Sequence, residues 1–222
     1  MNIAIDGPAG AGKSSIAKLV AEKLTFVYID TGAMYRTMAL YCLKQGIDTK
    51  DRTQVEGRCD EIDIKIAYED GEQQIYLNGD NVSSEIRREQ VGNQASVVAS
   101  YPKVREKLVS LQRQMAASSD VIMDGRDIGT VVLPDAEVKI YLTASSAVRA
   151  RRRYKELQDK GVECDLNKIE EDIIVRDRQD MSRDVSPLRQ AEDAVLLDSS
   201  DLSIEEVVDR IIAIYSERRE EL

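Results

Sequence analysis

Residues 7–15 carry a pattern that binds polyphosphates. The run Gly7-Pro-Ala-Gly-Ala-Gly-Lys-Ser14 matches G-x-x-x-x-G-K-[ST] at every required position. Its glycines allow backbone N–H groups to turn inward around phosphates, and the positive end of the predicted helix that follows adds to this field. We expect Lys13 to reach the β- and γ-phosphates and the Ser14 hydroxyl to ligate Mg²⁺. The candidate triphosphate-binding residues are Gly7, Pro8, Ala9, Gly10, Ala11, Gly12, Lys13, Ser14 and Ser15.

Two further polar runs follow predicted strands. In the first, Thr31 begins a predicted helix and Arg36 lies in its second turn, where it could hold an anion or simply face solvent. The spacing alone does not decide between these interpretations. In the second, Asp124 could support Mg²⁺ through water, while Arg126 and Asp127 would act as an anion clamp and a hydrogen-bond acceptor. The alternative for the second run is a tight acidic turn.

Arginines are concentrated late in the chain, on two predicted helices. Like charges so close together repel one another unless an anion or carboxylates hold them. A phosphoryl group in transfer is such an anion, and planar guanidinium groups suit its oxygens. Solvation beside acidic neighbours is the better interpretation for any single arginine, whereas the whole set favours a mobile lid over the loop. The two groups are Arg149, Arg151, Arg152 and Arg153, and Arg176, Arg178, Arg183 and Arg189.

The composition argues against several classes of function. The net charge of −10 opposes binding to nucleic-acid polymers. No apolar run approaches the length of a membrane span. The loop motif lies where the apolar core of a secretory signal would have to be, and the three scattered cysteines fit free thiols, so we expect a cytoplasmic protein. The acidic surface and the lack of an obvious seam favour a monomer.

The absence of histidine bears on the acceptor of the phosphoryl group. A hydroxyl acceptor would need a carboxylate base close by. The phosphate of a nucleoside monophosphate is already ionised near neutral pH and instead needs several cations to overcome charge repulsion. Many arginines and no imidazole base therefore favour a nucleoside monophosphate as acceptor.

The hydrophobic pattern predicts an α/β protein in which strands alternate with helices. A parallel three-layer sheet follows from this order, and in such sheets ligands bind at the carboxyl ends of the strands. The five predicted core strands are Met1 to Ile5, Phe26 to Ile29, Asp120 to Met123, Glu137 to Leu142 and Ala194 to Leu197.

One region departs from the alternating pattern. Residues 62–82 alternate with period two around a turn signal at Glu69-Asp-Gly71, which predicts a small antiparallel β insert. Helices are predicted over Ser84 to Ala99 and Pro102 to Ala117, and Ser203 to Glu206 forms a capping box before the last helix. We therefore expect a single domain over 1–222, with an acceptor-side insert at about 60–85 and a helical lid at about 146–182.

Four runs together resemble the bacterial cytidylate (CMP/dCMP) kinase family, which has a P-loop kinase fold. They are residues 7–15, Asp30-Thr-Gly-Ala-Met-Tyr-Arg36, Asp124-Gly-Arg-Asp-Ile-Gly-Thr130 and Arg176-Asp-Arg-Gln-Asp-Met-Ser-Arg183. The second run is similar to nucleoside monophosphate kinases in general. The third run and the β insert are what look specific to the cytidylate enzymes. The resemblance covers essentially the whole chain and implies transfer of the γ-phosphoryl group of ATP to CMP or dCMP, with Mg²⁺.

The resemblance also implies roles for individual residues. Ser96 and Arg105 would contact the cytosine, and Asp180 would accept a hydrogen bond from the ribose. Arg153 would close on the donor phosphates, although Arg152 cannot be separated from it. The implied catalytic residues are Lys13, Arg126, Arg153, Arg176 and Arg183. The implied CMP-binding residues are Thr31, Tyr35, Arg36, Ser96, Arg105, Arg126, Asp127, Arg176, Asp180 and Arg183.

Three alternatives remain open from the sequence. The chain could phosphorylate another monophosphate, UMP or AMP. It could be a P-loop regulatory ATPase that binds partners through the β insert. It could also phosphorylate a hydroxyl group, in which case an aspartate such as Asp127 would act as the base.

Overall fold

The computed structural model describes residues 1–69 and 72–221, without the side chain of residue 72, and its largest sheet has five strands. The strand order is β2-β6-β1-β7-β8, and β1 pairs in parallel with β6 and β7, as β7 does with β8. The central strands are almost wholly buried and apolar, as expected where both faces of a parallel sheet are covered. The predicted fold class is confirmed. The strands are β1 (Asn2–Asp6), β2 (Val27–Asp30), β6 (Val121–Gly125), β7 (Val138–Thr143) and β8 (Val195–Asp198).

The chain divides into two compact units, and the boundary falls within β2. Unit 1 comprises Met1–Tyr28 and Ser119–Leu222, and unit 2 comprises Ile29–Ser118. The helices of unit 1 are α1 (Lys13–Leu24), α6 (Ser146–Asp159), α7 (Leu166–Met181) and α8 (Ile204–Glu221). The core of unit 1 includes Ile3, Ile5, Ile16, Val20, Ile122, Ile140, Leu142, Val207 and Ile211.

The capping box predicted before the last helix is present. The Ser203 backbone N–H donates to Glu206 Oε2 at 2.8 Å, and the Glu206 N–H donates to Ser203 Oγ at 3.2 Å. These reciprocal bonds satisfy two N–H groups that a helix start leaves without partners. None of the helices in residues 1–69 and 72–221 is long and apolar enough to cross a membrane.

In its described residues, unit 2 combines the predicted β insert with four α-helices. The insert is a three-stranded antiparallel sheet in which Ile64 pairs with Leu77 and Ile66 with Ile75. The part of the predicted turn at Asp70 and Gly71 lies outside the described residues. Unit 2 contains β3 (Ile64–Glu69), β4 (Glu72–Leu77), β5 (Asp80–Asn81), α2 (Thr31–Lys44), α3 (Arg52–Gly57), α4 (Glu89–Val98) and α5 (Pro102–Ala116).

Two local predictions in unit 2 differ from the structure. The helix predicted over Ser84 to Ala99 is interrupted, because Arg88 is extended at φ −64°, ψ 139° between a 3-10 turn and α4. Helix α3 was not predicted, although its N-cap Asp51 accepts a hydrogen bond from the Gln54 N–H at 3.1 Å. The inward face of the insert, including Ile64, Ile75 and Leu77, shares a core with Met34 and Met38 of α2.

Candidate functional site

The phosphate loop joins β1 to α1 in unit 1, as the sequence predicts. Position 7 requires glycine because the backbone of β7 lies close to it: a Cβ there would be 1.9 Å from the carbonyl oxygen of Leu142. Gly12, in the left-handed region at φ 90°, leads directly into α1 and offers its first turn no side-chain cap. The N–H groups of this turn are therefore suited to an anionic ligand.

Lys13 is buried within this loop. Its ammonium donates to the carbonyl oxygen of Pro8 at 2.8 Å, and the residue is 5% exposed. Burial, assisted by Arg126, lowers the pKa of Lys13 to about 7, against the opposing effect of Asp124, Asp6 and Asp180. A phosphate bound beside Lys13 would favour its charged form and raise this pKa again.

Ser14 and Asp124 lie together at the start of α1 and the end of β6. Ser14 Oγ donates to Asp124 Oδ2 at 2.9 Å, and the Tyr28 hydroxyl donates to Asp124 Oδ1 at 2.7 Å. Within residues 1–69 and 72–221, no group of three or more His, Cys, Asp or Glu side chains could hold a metal. One hydroxyl and one carboxylate fit Mg²⁺, which commonly takes its remaining ligands from water and substrate phosphates. Tyr28 was not identified from the sequence, because a tyrosine in a buried strand is usually part of the core.

Asp6, at the end of β1, is a second buried carboxylate that the sequence did not single out. Its two oxygens accept hydrogen bonds from the backbone N–H groups of Ile128 and Gly129, both at 2.7 Å. Burial raises the pKa of Asp6 to about 6, although these two hydrogen bonds act in the opposite direction. The only available signal was an aspartate directly before the loop motif.

Three of the predicted CMP-binding residues form one cluster in unit 1. Arg126 Nε donates to Asp180 Oδ2 at 2.8 Å, and Arg183 donates to the other oxygen of the same carboxylate. Burial opposes ionisation of Asp180, which is 1% exposed, but Arg126, Arg183 and Arg176 together hold its pKa below the ordinary value. Both oxygens of the predicted ribose acceptor therefore already accept from arginines. Asp127 is also buried, next to Arg126.

The arginines of α6 have different environments. Arg149 is buried and donates to Ala9 of the phosphate loop and to Asp177 of α7. Arg152 donates to the Ser199 carbonyl oxygen at 2.7 Å. Arg153, whose side chain is 40% exposed, pairs with Glu156 at 2.8 Å. Arg149 therefore links the loop to both predicted lid helices, which the sequence did not reveal.

In unit 2, Asp30 organises the start of α2. Its Oδ1 accepts from the Ala33 N–H at 2.8 Å, and its Oδ2 accepts from Arg36 at 2.7 Å. The Asp30 N–H donates to the side-chain oxygen of Gln73 on β4 at 3.0 Å, which connects the insert to this turn. Arg36 is therefore held in place by Asp30, and Thr31 is buried beside it.

The other predicted base-binding residues lie on α2, α4 and α5. The buried guanidinium of Arg105 lies 5.7 Å from the centre of the Tyr35 ring and donates to the Ala99 carbonyl oxygen at 3.3 Å. Ser96 is half-buried on α4. Gln112, two turns beyond Arg105 on α5, is fully buried, and its amide donates to Met34 Sδ at 3.6 Å. The structure thus brings Arg105 and Tyr35 together.

Comparisons with known proteins point to one family. The family model for cytidylate kinase matches residues 3–217. A cytidylate kinase of Lactobacillus johnsonii is 50% identical over 99% of this chain and 95% of its own length. A cytidylate kinase of Caldicellulosiruptor bescii is 48% identical over 97% of this chain and 95% of its own length. Among solved structures, a gluconokinase from Sinorhizobium meliloti 1021 is similar in fold, with a TM-score of 0.50 and 13% identity over 99% of this chain and 94% of its own.

Proposed function

The chain belongs to the cytidylate kinase family, and from this premise we propose that it transfers the γ-phosphoryl group of ATP to CMP or dCMP. The products would be ADP and CDP or dCDP. The observation that carries the proposal is that unit 1 holds a phosphate loop with a buried lysine together with the cluster of Arg126, Asp180 and Arg183. A donor phosphate and an anionic acceptor each have suitable cations in this arrangement.

On the donor side, residues 7–15 would bind the ATP phosphates through backbone N–H groups and Lys13. Ser14 and Asp124 would hold Mg²⁺, Asp124 through water. When bound, the ion would neutralise charge on the phosphates. Tyr28 keeps the Asp124 carboxylate in a single orientation by donating to the oxygen that does not accept from Ser14.

On the acceptor side, the arginines would balance the charge of the monophosphate and of the group in transfer. We propose Arg126, Arg176 and Arg183 for this role, with Lys13 and Arg153 at the donor phosphates. No side chain is needed as a base, because a phosphate oxygen attacks in its ionised form. We also propose Arg36 as a phosphate ligand, since Asp30 orients its guanidinium.

Selectivity for cytosine would depend on residues of unit 2. Ser96 and Arg105 would contact the base, with Thr31 and Tyr35 beside it, and Asp127 and Asp180 would complete the CMP site. Arg105 is held by the Ala99 carbonyl oxygen and lies over the Tyr35 ring, so its guanidinium has few alternative positions. A group fixed before binding loses little conformational entropy when the base arrives.

We further propose that the chain acts as one functional domain over 1–222 in the cytoplasm, as a monomer. The segment at about 60–85 would close on the acceptor, which the Gln73–Asp30 hydrogen bond supports. The segment at about 146–182 would be the lid. The three free cysteines fit a reducing compartment. Sedimentation of the purified protein tests the monomer, and a concentration-dependent dimer would contradict it.

A panel of monophosphates tests the proposed reaction. Each of CMP, dCMP, UMP and AMP is supplied with ATP and Mg²⁺, and nucleoside diphosphate formation is followed. We expect the highest kcat/KM with CMP or dCMP. Faster turnover of AMP or UMP would refute the choice of cytidylate, and ATP hydrolysis unaffected by any monophosphate would indicate a regulatory ATPase.

Two substitutions on α5 make the test specific to the acceptor. Arg105→Met should raise KM for CMP by about tenfold or more, as loss of a charged hydrogen-bond donor predicts, with KM for ATP unchanged. Arg113→Met, an exposed change on the same helix, is the matched control and should leave both constants unchanged. Equal effects of the two variants would argue against base recognition by Arg105.

A further inference from the structure

Asp6 lies between the two parts of unit 1 that carry the proposed chemistry. It is the last residue of β1 and immediately precedes Gly7, the first residue of the phosphate loop. The residue is 5% exposed, and its carboxylate faces the segment after β6. There it accepts the backbone N–H groups of Ile128 and Gly129 at 2.7 Å each, one on each oxygen.

The two N–H donors belong to a tight turn that directly follows Arg126 and Asp127. This turn is a short π-helix over Ile128–Val132. The carbonyl oxygen of Asp127 accepts from the Val131 N–H at 2.9 Å and the Val132 N–H at 3.1 Å. Short π-helical turns are rare and occur frequently at functional sites. The carboxylate of Asp6 thus binds the first two N–H groups of the turn, while Asp127 accepts from its far end.

The turn is connected in the other direction to the arginine cluster. Arg126, two residues before the first donor, is hydrogen bonded to the buried Asp180 of α7. Neighbouring positions in the chain and side-chain hydrogen bonds therefore connect the phosphate loop through Asp6 and the turn to Arg126 and Asp180. All of these residues belong to unit 1.

We propose that Asp6 is a positioning residue that holds Arg126 and Asp127 in register with the phosphate loop during phosphoryl transfer. The proposal rests on the proposed function, because it assigns those two residues to the acceptor. Asp6 itself touches backbone N–H groups and acts on the reaction through the turn. Small displacements of such groups reduce catalysis, since transfer needs donor and acceptor in line.

Only a carboxylate satisfies both donors at this position. An asparagine of the same shape has one acceptor oxygen, and its amide NH₂ would face the second N–H group as another donor. One backbone N–H would then be buried without an acceptor and repelled by its neighbour, so the turn should open there. The substitution Asp6→Asn therefore tests the hydrogen bonds with almost no change in volume.

The first measurement is hydrogen exchange in full-length Asp6→Asn. The amides of Ile128 and Gly129 should exchange at least about tenfold faster than in the wild type. One of them loses its acceptor, and the other keeps a weaker, uncharged acceptor in a turn that has opened. Asp51→Asn is the matched control, because Asp51 accepts a backbone N–H at the exposed start of α3 and has no proposed role in binding. Its effect should be confined to residues near Gln54. Unchanged exchange at the turn in Asp6→Asn would overturn the proposal.

The second measurement is steady-state kinetics of the same variants. Asp6→Asn should raise KM for CMP and lower kcat, each by roughly tenfold, whereas KM for ATP should change less than KM for CMP, the smaller change arising because Asp6 also favours the charged form of Lys13. A purely structural role would lower the thermal stability and the fraction of active protein without changing KM for CMP. That result would overturn the proposal even if exchange at the turn had increased.

A second variant keeps the proposal testable if Asp6→Asn does not fold. In Gly129→Ala the added Cβ would lie 3.2 Å from Lys139 Cδ and 3.5 Å from Asp6 Oδ2, so either the Lys139 side chain or the turn must shift by a few tenths of an ångström. The same kinetic pattern at smaller size is expected, and wild-type constants would count against the proposal. Failure of the proposed function is distinguishable: a wild type inactive on CMP refutes that function, while exchange at the turn still decides the role of Asp6.

Discussion

Replacement of Arg149 by methionine should destabilise unit 1 strongly. The guanidinium makes four hydrogen bonds: to the Ala144 oxygen at 2.8 Å, to the Ala9 oxygen at 2.9 Å, and to the two Asp177 oxygens at 3.1 and 2.6 Å. Methionine retains most of the apolar stem but none of the donors. The side chain of Asp177, only 15% exposed, would then lack its cation.

The size of the effect follows from this geometry. Removal of one partner from a buried ion pair costs about 3–5 kcal/mol, and the partial exposure of Asp177 favours the lower end. For a chain of this length each kcal/mol lowers the melting temperature by about 2–4 °C, so we expect a decrease of roughly 6–12 °C. Calorimetry or a thermal denaturation scan of the nucleotide-free protein measures this shift.

Two further variants identify the cause of this shift. Arg218→Met removes an exposed pair with Glu221 on α8 and should change the free energy of unfolding by less than about 1 kcal/mol. The double variant Arg149→Met/Asp177→Asn should recover about 1–2 kcal/mol of the loss, because it removes the uncompensated buried charge. Equal decreases of the melting temperature in Arg149→Met and Arg218→Met would show that the buried contacts of Arg149 contribute no more to stability than an exposed ion pair does.

Three further predictions concern buried polar groups. Lys13→Met should abolish transfer yet stabilise the nucleotide-free protein, and this stabilisation should be larger at pH 7 than at pH 9. The pKa of Lys13 is lowered from 10.5 to about 7 in the folded protein, so the stability of the wild type rises with pH between these values. Thermal scans of both proteins at the two pH values measure the difference. Tyr28→Phe removes the hydroxyl that orients Asp124 and should raise the Mg²⁺ concentration for half-maximal rate by about tenfold, with an unchanged requirement contradicting this role. Gln112→Met should raise stability by about 1 kcal/mol, because the Gln112 Oε1 atom is buried with no hydrogen-bond partner among the described residues; a lower melting temperature would show that this oxygen is satisfied.

Features that depend on neighbouring residues were predictable from the sequence. The phosphate loop needs glycines and a lysine within eight positions, the capping box spans four residues, and the β insert follows from alternation with period two. Each of these is present in the structure where the sequence placed it. Short-range patterns are informative because backbone geometry and side-chain hydrogen bonds act over a few residues.

The local sequence pattern did not predict the places where the backbone departs from regular helical geometry. The extended Arg88 divides what the hydrophobic spacing predicted as one helix. The π-helical turn at Ile128–Val132 has no sequence signature and is stabilised by Asp6, more than a hundred residues earlier in the chain. Such departures are imposed by tertiary contacts rather than by residue preference.

The amino-acid sequence was enough to determine the kind of chemistry, namely phosphoryl transfer supported by cations. This followed from the residue types of the phosphate loop, the absence of imidazole and the abundance of arginine. The tertiary structure alone decided the partner of each charge. It divided the arginines of α6 between a buried link at Arg149 and an exposed pair at Arg153. It also assigned Asp6 and Tyr28 to backbone and carboxylate partners about a hundred residues away. The sequence gives the charge of a side chain but not the group that it will contact. Its effect on ligand binding or on stability depends on burial and on the distance to its partner, and both are set by folding.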